Sequence, residues 1–75
     1  MTEEKEVTRG ERELLFYIRG SAGGFYTKLV DAFLLADGVN TARLLKAFPE
    51  ELTPVHRYRS EDGYWEDLLK RVNKD

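Results

Sequence analysis

The stretch GFYTKLVDAFLLA, residues 24–36, decides the fold class. Placed at about 100° per residue, Phe25, Leu29, Ala32, Phe33 and Ala36 fall on one stripe, with Tyr26 and Val30 beside it and Leu34 at its margin. Thr27, Lys28, Asp31 and Leu35 take the other side. An apolar arc this wide suits a helix touched by neighbours on more than one flank. The segment therefore reads as the central hydrophobic helix of a small bundle, with Phe25 as its first residue anchored in the core. Leu35 is the exception, a large apolar side chain between Lys28 and Asp31.

Immediately upstream, IRGSAGG (residues 18–24) raises the question of a phosphate loop. A P-loop needs G-x-x-x-x-G-K-[ST] and the dinucleotide fingerprint needs G-x-G-x-x-G after a strand; Gly20-Ser21-Ala22-Gly23-Gly24 fits neither, and Lys28 lies inside the helix. These glycines read as a hinge that ends one helix and releases the chain into the next. The bare helix start near Gly23 is the remaining anion-binding alternative. On the hinge reading, Gly24→Val damages folding and Lys28→Ala leaves stability nearly unchanged.

Further upstream, Thr8-Arg9-Gly10-Glu11 has the S/T-x-x-E spacing of a capping box, which starts a helix near Thr8. In ERELLFYIR, Leu14, Leu15 and Ile18 share a helical face, although Phe16, Tyr17 and Ile18 also suit a strand; helix is favoured. Residues 1–7 have no periodic apolar pattern and are expected to form a disordered polar tail, leaving 8–75 as a single helical domain.

Downstream, Asp37-Gly38 is expected to stop the central helix, glycine supplying the left-handed conformation, and Asn40 to cap the next one, TARLLKAF. Pro49 closes that helix or opens the next turn. Thr53-Pro54 repeats an N-cap and N1 signal, so residues 49–59 read as one kinked helix or two short ones. After the turn cluster Ser60-Glu61-Asp62-Gly63, the residues Tyr64, Trp65, Leu68, Leu69 and Val72 line one face of a last helix, with Glu66–Lys70 and Asp67–Arg71 spaced i,i+4 outside. The expected fold is all-α, a bundle of four to five short helices around the central hydrophobic one.

Composition narrows the function classes. The chain of 75 residues has no cysteine and one histidine, so neither disulfides nor a cysteine-ligated metal can supplement the core. Lys plus Arg number 12 against 14 acidic residues, which argues against a nucleic-acid domain, although Arg19, Lys28, Arg43 and Lys46 outnumber Asp31 and Asp37 in the middle. No apolar run approaches the roughly 20 residues a membrane span requires, and MTEEKE lacks a basic, apolar signal start. A cytoplasmic location is the expectation.

No constellation carries chemistry. His56, Ser60 and Asp62 can be drawn as base and nucleophile, but Ser60 is better explained as a turn or capping residue. Glu50-Glu51 and Glu61-Asp62 stand where acids favour a helix start. No enzyme, cofactor or metal is expected. The aromatics exceed what a thin core demands, and with neighbouring arginines they mark a candidate partner surface: Tyr17, Leu35, Tyr58, Arg57, Arg59 and Tyr64.

Taken in order, GGFYTKLVDAFLLAD, KAFPEE and YRSEDGYWEDLL resemble a group of short uncharacterised bacterial proteins, some of them phage- or prophage-encoded, over residues 23–69. The resemblance implies a compact helical accessory protein of mobile-element origin and brings no catalytic residues with it. The expected function is a non-enzymatic protein–protein interaction module, binding a second copy or a larger protein. The alternative is nucleic-acid association through His56-Arg57-Tyr58-Arg59, which requires Arg43, Lys46, Arg57 and Arg59 to converge.

Overall fold

A computed structural model describes residues 6–73, and among them the chain forms five helices and no strand. These are α1 (Arg9–Ile18), α2 (Gly24–Leu35), α3 (Gly38–Ala47), α4 (Pro49–Ser60) and α5 (Tyr64–Asn73). The expected tail falls largely on residues outside those described. Val7, placed in that tail by sequence, instead packs half-buried against the core.

Local chemistry sets each boundary. The Thr8 hydroxyl accepts from Glu11 N–H at 3.1 Å while Thr8 N–H donates to Glu11 Oε1 at 3.0 Å, the reciprocal capping box. α1 ends where Gly20 takes φ +82°: Gly20 N–H donates to Tyr17 O and Ser21 N–H to Phe16 O, the paired bonds of a Schellman motif. Gly63, at φ +84°, turns the chain between α4 and α5.

At α2–α3 the expectation is corrected. Gly38 is the first residue of α3, and α2 stops because Ala36 is extended. The cap is Asp37, whose carboxylate accepts from Asn40 N–H at 2.8 Å; Asn40 lies inside the helix. Between α3 and α4 a single residue, Phe48, suffices. Pro49 bars it from helical backbone, and its φ of −131° and ψ of 62° break the two helices apart.

α4 is one helix with Pro54 inside it. Pro54 has no N–H to offer the Glu50 carbonyl one turn earlier. That carbonyl faces Gly10 of α1 instead, so closely that a Cβ on Gly10 would lie 2.0 Å from it. The glycine and the proline thus belong to one contact, in which α1 rests on α4 with backbone against backbone and a Cα hydrogen turned toward the freed oxygen.

α2 contributes most to the core through Tyr26, Leu29, Val30 and Phe33, and these pack with Leu14 and Leu15 of α1, Leu52 and Val55 of α4, and Tyr64 and Leu68 of α5. α4 touches all four other helices. α3 buries no residue completely; Leu44 and Leu45 are half-covered. Nothing lies within 4 Å of a Cβ built on Gly24, and its φ is not in the left-handed range, so the expected damage from Gly24→Val is withdrawn. Urea unfolding followed by circular dichroism should show no loss beyond about 0.5 kcal/mol for that variant.

One buried polar tie spans the chain. Glu11, 3% exposed, accepts from Tyr64 O–H at 2.6 Å and from Arg71 Nη1 and Nη2 at 3.0 and 2.9 Å, fastening α5 to the start of α1. Burial alone would raise the Glu11 carboxyl. The hydrogen bonds from Arg71, Tyr64 and Thr8, with the charge of Arg71, outweigh it and hold the carboxyl at about 2. The Asp67–Arg71 pair expected from spacing forms at 3.0 Å, yet Arg71 is turned inward to Glu11 as well.

Candidate protein-interaction surface

The buried face of α2 is centred between Tyr26 and Val30, which leaves part of the apolar arc uncovered. Phe25 is 67% exposed, touching Phe48 edge-on with ring centroids 5.9 Å apart, so it is not the core anchor the stripe suggested. Ala32 is exposed and Leu35 is 87% exposed. Just beyond, at the start of α3, Val39 is 68% exposed. Large side chains this open on two consecutive helices form an apolar strip that the other described residues leave largely uncovered. Lys28 and Asp31, both exposed, lie along it.

The six residues singled out by sequence separate into groups. Tyr17 is half-buried; its hydroxyl donates to Asp31 Oδ1 at 2.7 Å, one turn before Leu35 on the same side of α2, and its ring meets Tyr26 edge-on. Tyr17 and Leu35 therefore border the same strip. Tyr58 is 43% exposed and leans edge-on against Trp65 at 5.2 Å. Tyr64 does not belong to an accessible surface at all, being 3% exposed with its hydroxyl bound to Glu11. It lines the core because α5 packs with Tyr64 and Leu68 inward.

Arg57 is engaged locally. Its guanidinium lies 4.3 Å from the Tyr64 ring centroid and donates twice to Glu61, at 3.0 and 2.8 Å, which raises its pKa and pairs its positive charge with a carboxylate. Arg59 is exposed, but residues two apart on a helix diverge by about 200°. Arg57 and Arg59 thus leave α4 on nearly opposite sides, and the basic-aromatic strip drawn from sequence is not one face. The residues that sequence reasoning missed are Phe25 and Val39.

Elsewhere the chemistry is structural. Ser60 O–H donates to the backbone carbonyl of His56 at 2.7 Å, so the two do not form a nucleophile and base. Among the described residues no three acidic or histidine side chains gather as metal ligands. Two shallow clefts of about 220 and 110 Å³ flank the Gly10–Glu50 crossing. The larger contains Glu11 and Arg57, each already committed to a partner. No helix among the described residues is long and apolar enough to cross a membrane. No family model, curated protein or solved structure matches this chain, so any functional reading rests on the strip formed by Phe25, Ala32, Leu35 and Val39.

Proposed function

We propose that this chain is a non-enzymatic helical module that binds protein through the outer face of α2 and the start of α3. The observation that carries the reading is the exposure of Phe25, Leu35 and Val39 at 67, 87 and 68%. Fully burying one such side chain is worth about 1.5–3 kcal/mol, so covering them favours association, even a weak one. The rest of the fold keeps them presented: Asp37 caps α3 immediately after α2, and the Phe25–Phe48 contact holds the other end.

A photoreactive residue placed at position 35 is expected to cross-link to protein in a host lysate, whereas one at Arg59 is not. Absence of any protein adduct, to a copy of the chain or to another polypeptide, would remove the reading. Nucleic-acid association is the competing outcome. It now depends on Arg43, Lys46 and Arg59 without Arg57, and a mobility shift of DNA or RNA at low salt would favour it.

A further inference from the structure

We propose that the strip is closed by a second copy of this chain, with α2 against α2 in antiparallel orientation about a two-fold axis that crosses the exposed face of α2 at the level of position 30. This rests on the protein-binding reading above and names the occupant. Phe25, Lys28, Ala32 and Leu35 are all exposed and follow one another at steps of three, four and three residues, the seam spacing of a packed helix pair. The seam is also symmetric about position 30: Phe25 and Leu35 are equidistant from it, and so are Lys28 and Ala32.

An antiparallel two-fold therefore seats Phe25 on the partner's Leu35 and Lys28 over the partner's Ala32, each contact made twice. A methyl group leaves room for the Lys28 stem. Its ammonium then comes beside the partner's Asp31, the neighbour of that alanine. Asp31 receives Tyr17 at Oδ1, and a carboxylate has further acceptor sites. Lys28 and Asp31, the one cation and one anion of α2, thus pair across the axis in both directions. A parallel arrangement would oppose Lys28 to the partner's Lys28, so charge selects the antiparallel one. A 12-residue helix offers a small interface, at the low end of specific contacts, as in a weak, reversible dimer.

Sedimentation equilibrium of the full chain from micromolar to millimolar concentration should fit a monomer–dimer equilibrium. Leu35→Lys should weaken it at least about tenfold while leaving the helical circular dichroism intact, since position 35 is exposed. Lys28→Asp and Asp31→Lys should each weaken self-association, and mixing the two variants should restore a dimer, because opposite charges then face each other across the axis. A wild-type chain that stays monomeric at millimolar concentration overturns the proposal, as does a mixture no more associated than its components. Foreign cross-links at position 35 from a chain that sediments as a monomer would overturn the second copy as occupant while leaving the protein-binding reading standing.

Discussion

Gly10→Ala should lower stability by about 1–3 kcal/mol, and Gly10→Val by more, although adding a side chain to a helical glycine ordinarily helps by up to about 1 kcal/mol. The opposite sign comes from the crossing of α1 and α4. The new Cβ would lie 2.0 Å from the Glu50 carbonyl oxygen and 3.0 Å from its carbon. These are backbone atoms of a helix, which cannot swing aside as a side chain can. Relief requires α1 to lift from α4, and Leu14 and Leu15, both buried on α1, would lift with it.

A domain of this size is stable by about 4–11 kcal/mol in total, so the loss is a large share. Gly38→Ala provides the internal comparison: it is the same chemical change at a helical glycine with nothing within 4 Å of the added carbon. It should leave the urea midpoint unchanged or slightly raised. Equal midpoints for Gly10→Ala and Gly38→Ala would mean that α1 and α4 do not approach as closely as described.

That glycine shows where sequence reading stops. Thr8-Arg9-Gly10-Glu11 was legible as a capping box because both bonds join residues three apart, and spacing encodes such bonds directly. The demand on Gly10 comes from a carbonyl on another helix, freed by a proline one turn later, and no local pattern announces it. Glu11 has a second role for the same reason hidden, since Tyr64 and Arg71 stand 53 and 60 residues away. The all-α outline of four to five helices followed from periodicity and turn chemistry, and the structure has five among the described residues.

The candidate site was only half legible. Leu35 stood out because it interrupts a polar side, and polar neighbours one turn away are a local signal. Phe25 did not, because the apolar arc of α2 is wider than its neighbours cover. Which edge stays open is decided by how α3 and α4 dock, not by the arc. Asp37-Gly38 read as a stop through its glycine, whereas the chain uses the aspartate, as the cap of α3.

Glu11→Gln tests the long-range tie and should cost about 3 kcal/mol at neutral pH. The folded carboxyl sits at about 2 against an ordinary 4.5, and each unit of difference corresponds to about 1.4 kcal/mol. Because the folded value is the lower one, this stability is fully present above pH 4.5 and is lost as pH falls from there through about 2. Glutamine keeps an acceptor for Thr8 N–H, so the capping box survives, while its NH2 replaces the charged oxygen that accepted from Arg71 Nη2 and Tyr64 O–H. For a domain of this length, about 3 kcal/mol lowers Tm by roughly 12–24 °C. Tyr64→Phe removes one hydrogen bond from the same carboxylate and should cost less, about 1–2 kcal/mol. Unfolding measured at several pH values should show wild type and Glu11→Gln far apart at pH 7 and converging toward pH 2. A gap that stays constant across that range would mean that the Glu11 carboxyl is not held below its ordinary range by Arg71 in the folded chain.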